Sequence, residues 1–416
     1  MNPKTVRILA VAIMLLSGGC AQMSALLEGP AAGPSASAPA PAAAPAPTPP
    51  PILSFDEAVV LAANDVFSRA ALPAGVDRVA VVIDPLVDGM AGEQTLATQA
   101  IGERIAALAR SRYPRFEILP FDAASLRRAP WVLVGTFTPV SAAGRTEGSR
   151  AAYRFCLALA DLGSGKIISK GLARSQLEGV DSTPLPAFRD SPAWARDPRV
   201  DGYIRTCQGT KAGDPIQPAY LDGILTASLI SQAVEAYNAG RYRDALERYE
   251  AADETPAGRQ LRVLNGLYLT NSRLGHAEAA NRAFGRLVDF GLEQQRLAVK
   301  FLFRPGSTGF VPERRLSGAY PMWLGEIARG AAQRDACLEV AGHASRSGPE
   351  PLNERLSLLR AEAVRGALVA HDARLATRTI ATGYGSRETM VGTGRDDASD
   401  AMDRRVEFRV VNCTAS

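Results

Sequence analysis

From residue 52 onward, apolar positions alternate between two rhythms. Residues 55–70 and 93–113 carry them at helical spacing, with Leu96, Ile101, Ile105 and Leu108 marking the second stretch. Between these, Arg78-Val79-Ala80-Val81-Val82-Ile83 is a short apolar run stopped by Asp84-Pro85, which predicts a buried strand. Residues 116–121, 131–140, 151–162 and 166–176 predict further strands, and Tyr153, Phe155, Leu157 and Leu159 fall on one face. Helix and strand alternate and then strands run together, which predicts an α/β sandwich of two or three layers over 52–222. Residues 179–217 are rich in Pro, Asp and Gly and predict a long irregular loop.

The pattern turns wholly helical over 225–292. Gly240, Tyr242, Ala245, Tyr249, Ala252 and Pro256 stand in the register of a tetratricopeptide repeat, which this segment resembles. Gly275, Ala280 and Phe284 start a second copy at close to the ~34-residue period of that family. Two copies are fewer than the ~3 that usually stand alone, so they are expected to dock on a neighbouring domain. They serve either as a groove for protein partners or as a helical spacer.

Beyond 297 the pattern reads strand 299–303, helix 316–334, strand 337–341, helix 353–370, then strands 379–383 and 406–411. This βαβαββ order predicts an α+β layer over 297–416. The whole chain is therefore read as multidomain α+β: a sandwich, a short helical repeat segment and a terminal βαβαββ domain.

The first 51 residues are of another kind. Lys4 and Arg7 precede an apolar run from Ile8 to Leu16, too short to span a bilayer, and the run ends in Leu16-Ser17-Gly18-Gly19-Cys20. Small residues before a lone Cys resemble the bacterial lipobox, which implies cleavage after residue 19 and acylation of Cys20. An ordinary secretory signal cut near Cys20 is the other reading. Ala21 and Gln22 follow with no Asp, which by the same resemblance implies the periplasmic face of the outer membrane. Residues 29–51 hold nine Pro, nine Ala and no charge. Such a segment favours extended polyproline II and reaches roughly 70 Å at ~3.1 Å per residue, so 20–51 reads as anchor and tether.

Of the 416 residues, 47 are basic and 43 acidic, giving net +4, without the basic footprint of a nucleic-acid binder. Three His, five Cys and no Cys-x-x-Cys give no zinc pattern and imply no cofactor. Lipidation of Cys20 leaves Cys156, Cys207, Cys337 and Cys413, an even number in an oxidising compartment. The domain layout favours Cys156 with Cys207 and Cys337 with Cys413; four buried thiols are the alternative. No nucleophile elbow accompanies His343 and Ser345, so no enzyme is expected.

Two further resemblances bear on function. The strand "VAVVIDPL", the helix after it, "WVLVGTF" and the hairpin "LALADLGSGKIIS" resemble periplasmic lipoprotein domains of the CsgG/LpoB kind. More specific is the run Gly342-His343-Ala344-Ser345-Arg346-Ser347-Gly348, then Asn353, Leu356, Ser357, Arg360-Ala361, Val364 and Leu368. Gly383-Tyr384-Gly385 and Asp403-Arg404-Arg405-Val406-Glu407 follow. In order and spacing these resemble the OmpA-like peptidoglycan-binding domain over about 297–413.

That resemblance implies a ligand, the diaminopimelate side chain of the peptidoglycan stem peptide. The helix Arg, here Arg360, grips its carboxylate, and the Asp of the GHTD motif pairs with its ammonium. Here that Asp is Ser345, its neighbouring Thr is Ala344, and the first-strand motif reads Phe303-Arg304. Gly342, Asn353 and Arg405 complete the expected site. A hydroxyl cannot replace a counter-charge, so binding is expected to be weak, with Glu350, Glu354, Asp396, Asp397 and Asp400 as candidates to compensate. The implied role is to link the envelope membrane to the wall, or to place a protein complex there. The rival is an interaction scaffold that has lost wall binding.

Overall fold

A computed structural model describes residues 51–128, 130–304, 306–312, 317–390 and 403–413. Cys20, residues 29–50 and Asp396, Asp397 and Asp400 lie outside them. Ser54 opens the first helix, Phe55–Ser68, with a capping box closed by Glu57. Thr95 and Thr98 do the same for Leu96–Arg112. The first helix buries an alanine- and valine-rich face and the second an alanine- and isoleucine-rich one against a seven-stranded sheet. Its strands are β1 (Ile52–Leu53), β2 (Val79–Ile83), β3 (Val87–Asp88), β4 (Phe116–Leu119), β5 (Trp131–Val140), β6 (Ala152–Asp161) and β7 (Lys166–Ser175). The order is β1-β7-β6-β5-β2-β4, with β3 beside β5. β5, β6 and β7 form an antiparallel meander, whereas β2 runs parallel to both β4 and β5.

The opposite face of the sheet corrects one expectation. The stretch 179–217 is not an irregular loop throughout, because Pro198–Gln208 is a helix. Its start is built by Asp197, which caps the backbone of Arg199 and Val200, with Pro198 in the first turn. A cap followed by Pro gives a segment the composition of a loop. Val200, Tyr203, Ile204 and Cys207 of this helix pack on Val132, Val134, Cys156 and Ala158. Helices thus cover both faces of the sheet, and Cys156 and Cys207 are joined as a disulfide across this core with Cα atoms 5.9 Å apart.

Four helices follow: Ile224–Asn238, Tyr242–Asp253, Leu261–Leu274 and Ala277–Glu293. Gly240 and Gly275 sit at φ of +75° and +79° in the turns that reverse each pair, a backbone region that favours glycine. Ala245 and Ala252 are fully buried where helices meet, and Gly266 leaves room for the Tyr249 ring.

The second sheet contains β8 (Arg296–Val299), β9 (Cys337–Gly342), β10 (Thr379–Gly383) and β11 (Val406–Val411), in the order β10-β9-β11-β8. β9 and β10 are parallel, and β11 is antiparallel to both its neighbours. Helices Tyr320–Gln333 and Glu350–His371 complete the βαβαββ order. Val411 pairs with Cys337, and Cys413 just beyond is joined to Cys337 as a disulfide, with Cα atoms 5.3 Å apart. The strand expected over 299–303 is corrected: β8 ends at Val299. Phe301 turns out of the sheet to stack with Phe310 and meet Tyr320 and Trp323. Alternating Phe residues serve such a cluster as well as they serve a strand, so periodicity alone does not separate the two.

One hydrophobic core runs from residues 185–195 through the four helices into the second sheet. Trp323 stacks on Phe284 at 5.3 Å and donates its indole N–H to Tyr268 Oη. Ala193 bridges Val299 at the edge of β8, and Asn265 holds both backbone groups of Ala193. Lys300 Nζ lies 2.6 Å from Glu93 Oε1 and 4.4 Å over the Trp194 ring. The three sequence segments over Pro49–Ser416 therefore form one compact unit.

Candidate functional site

The candidate site is built around the N-terminal half of helix Glu350–His371. This helix approaches β9 closely because residue 342 is a glycine. A Cβ there would fall on the carbonyl oxygen of Ser357. Gly342 O meanwhile accepts from Tyr384 N, and the residue pairs with both Val406 and Gly383 in the sheet. Gly342 was expected to present backbone groups to a ligand. It instead seats the helix, since its polar groups are used within the sheet.

Helix periodicity then aims Arg360 inward, three residues beyond Ser357. Arg360 is only 1% exposed. Its Nε donates to Ser307 O at 3.1 Å and its Nη2 to Arg304 O at 3.3 Å. The guanidinium lies 5.0 Å over the ring of Phe303, so those two predicted residues do come together. Nη1 is buried with no hydrogen-bond partner, and no carboxylate of the described residues pairs with this side chain. Burial, and secondarily the nearby Arg404 charge, bring its pKa down to about 10. It remains a cation at neutral pH.

Ser345 and Asn353 lie on the loop and first turns that lead into the same helix. Ser345 is buried, and its hydroxyl is 2.8 Å from that of Ser347. Asn353 Nδ2 donates to Gly348 O at 3.3 Å. Of the acids proposed to compensate, the two within the described residues are already engaged: Glu350 accepts from Ser386 N at 2.9 Å, and Glu354 pairs with Arg387.

Arg405, read above as part of the site, is 2% exposed and donates to Glu407 at 2.8 Å, so the structure places it in a buried charge cluster. Glu407 is fully buried, and Arg296 donates to both its oxygens from the neighbouring strand. Burial would raise the Glu407 pKa, but the Arg405 and Arg296 charges hold it well below the usual carboxylate range. His343 follows β9 directly, stacks on Tyr384 at 5.3 Å and is 1% exposed, with neither ring nitrogen hydrogen-bonded. Burial and the Arg405 charge lower its pKa to about 2, so the ring is neutral. Sequence reasoning missed this cluster. Its signal was present in the alternation Arg405, Glu407, Arg409 along β11, since alternate residues of a strand share a face.

Among the described residues, no group of three or more His, Cys, Asp or Glu is placed to hold a metal ion, and no helix is long and apolar enough to cross a membrane.

Residues 303–402 match the family model described as "OmpA family". No curated protein matches the sequence. Among solved structures, the chain is similar to the peptidoglycan-associated lipoprotein from Burkholderia pseudomallei, at 24% identity and a TM-score of 0.23, covering 29% of this chain and 93% of that one. It is similar to the cell wall anchor of the T6SS from Pseudomonas aeruginosa at 24% identity and a TM-score of 0.24, covering 30% and 95%. The periplasmic domain of MotB from Helicobacter pylori is similar at 16% identity and a TM-score of 0.23, covering 29% and 76%. The region built on Gly342 and Arg360 is thus an OmpA-like domain at the C-terminus of the chain.

Proposed function

We propose that the protein is a non-enzymatic link between the bacterial outer membrane and peptidoglycan. Cys20 supplies the lipid anchor, the Pro/Ala-rich stretch supplies reach, and the OmpA-like domain binds the stem peptide without a covalent bond. The two helical pairs, read as tetratricopeptide-like, present a surface to protein partners. The observation that carries the wall-binding reading is Arg360. A buried cation with an unpartnered N–H and, among the described residues, no carboxylate beside it is costly, and a ligand carboxylate would offset that cost. A second reading, a scaffold that has given up diaminopimelate, is favoured by Ser345, whose hydroxyl is turned to Ser347 where the family pattern has an acid.

Titration of the whole mature chain with a diaminopimelate-containing stem peptide separates the two. The whole chain is needed because the core continues from the helical pairs into the second sheet. On the wall-binding reading, wild type binds weakly, Arg360→Ala abolishes binding, and Ser345→Asp tightens it roughly tenfold, equivalent to about 1.4 kcal/mol. Unfolding midpoints of each variant check that the fold is kept. No binding by wild type and no gain in Ser345→Asp would leave the scaffold. Tight binding that survives Arg360→Ala would place the ligand elsewhere.

The anchor has its own test. Cells expressing Cys20→Ala are expected to release the protein into the soluble periplasm, because acyl chains supply the membrane affinity. Unchanged membrane fractionation would sink the lipoprotein reading.

A further inference from the structure

A second site lies far from the OmpA-like residues in sequence, in the N-terminal sheet. From the end of β2, at Ile83, the chain passes to helix Leu96–Arg112, which packs on one face of the sheet. From the end of β4, at Leu119, it passes to a single turn at Ala123–Leu126, whose Leu126 packs on the other face. β4 then connects back past β2 to β5, so β2 stands between β4 and β5. Adjacent parallel strands whose connections diverge to opposite faces open a crevice at their carboxyl ends, and this is where open α/β sheets bind ligands.

The crevice exists here. A cavity of about 620 Å³ is lined by Ile83, Leu86, Ile118 and Leu119 from the strand ends and by Ala106 and Gly102 of the crossover helix. This is the size of a small-molecule site. Helix Ile224–Asn238 forms its outer wall through Ser231, Val234 and Glu235. Leu96, at its mouth, is 44% exposed, a large apolar side chain left in water beside an apolar hollow. The lining contains two carboxylates, Glu103 and Glu235, one on each wall, and no Lys, Arg or His. Both are exposed, and neither forms an ion pair among the described residues.

We propose that this cleft is a binding site for a small ligand with an apolar body and a cationic group, the body resting on the strand ends and the cation between Glu103 and Glu235. Apolar contact provides the affinity, and the two carboxylates of the lining select the sign of charge. Because its walls come from the sheet and from the first helical pair, an occupant also ties those two together.

Tryptamine, an indole with an ammonium, is the probe, and indole-3-propionate is its anionic counterpart. Calorimetric titration of the whole mature chain is expected to show saturable binding of tryptamine and at least tenfold weaker binding of the acid. Replacing both carboxylates by Glu103→Gln and Glu235→Gln is expected to weaken tryptamine at least tenfold and to leave the acid no worse. Ala106→Trp fills the cleft from one wall and Ser231→Trp from the other; whichever folds with an unchanged unfolding midpoint is expected to lose binding. No saturable binding by wild type, equal binding of the two probes, or binding that survives a folded cleft-filling variant would each overturn the site. None of these outcomes bears on the wall-binding titration, which reads a different ligand at Arg360.

Discussion

Gly342→Ala is expected to lose about 3 kcal/mol of folding stability and, on the wall-binding reading, to lose stem-peptide binding with it. The added methyl would coincide with the Ser357 carbonyl oxygen, and would lie 2.8 Å from its carbon and 3.3 Å from Ala361 Cβ. These are atoms of the helix itself, including its backbone, so no side-chain rotation relieves the overlap. The helix must move off β9 instead. Arg360 follows Ser357 by one turn, so that movement also withdraws the guanidinium from Phe303 and from the carbonyls of Arg304 and Ser307. Gly366→Ala in the same helix is the control. A methyl there meets nothing within 4 Å, and removing a helical glycine is expected to stabilise by up to about 1 kcal/mol. Urea midpoints at constant slope measure both. Equal midpoints for Gly342→Ala and wild type would mean that the helix is not seated on residue 342.

Glu407→Gln is expected to cost about 4 kcal/mol, since removing one partner of a buried ion pair leaves the other charge uncompensated. The charge left behind is Arg405, whose Nε and Nη2 both meet Glu407 at 2.8 Å. The double variant Glu407→Leu with Arg405→Met is expected to recover most of the loss, because it removes both charges. The same cluster sets an acid limit. His343 is neutral in the folded protein down to about pH 2 and takes up a proton near 6.5 when unfolded. The unfolded state therefore binds more protons between those values, and stability falls as pH drops below 6.5.

From pH 7 to pH 5 the His343 contribution to that fall is about 2 kcal/mol. Glu407, with a lowered folded pKa, adds to the loss below about 4.5. Burial raises the Asp84, Asp88 and Glu93 carboxyls to about 7, 6 and 7, and these act with the opposite sign over the acid range. Comparison with His343→Phe removes that background while keeping a ring against Tyr384. The variant is expected to lose about 2 kcal/mol less than wild type between pH 7 and 5, and parallel stability curves would show that His343 charges freely in the fold.

Much of the architecture was legible from local pattern. Elements with strong periodicity appear within a few residues of their expected ends, as do Trp131–Val140, Ala152–Asp161 and Lys166–Ser175. The docking of the four helices on a neighbour was also legible, because two helical pairs alone leave an apolar face uncovered. The segments that misled were those whose apolar residues serve packing between elements. Residues 179–217 read as a loop because Asp197 and Pro198 start a helix with turn-forming residues. Phe301 and Phe303 read as a strand because an aromatic cluster needs the same residues.

Resemblance to the OmpA-like motif pointed to Arg360 and to the missing acid at Ser345, while the sequence by itself determined residue types and their spacing along single elements, and from these the βαβαββ order. Those properties depend on backbone periods of two and 3.6 residues, which a single segment carries within itself. Only the tertiary structure decided what each side chain meets. It turned Arg405 onto Glu407, set two backbone carbonyls on Arg360, and used Gly342 for helix contact. It also opened the crevice between β2 and β4 and closed it with a helix more than 100 residues away. Burial and charge pairing are sums over neighbours brought together from distant parts of the chain, so no local pattern contains them.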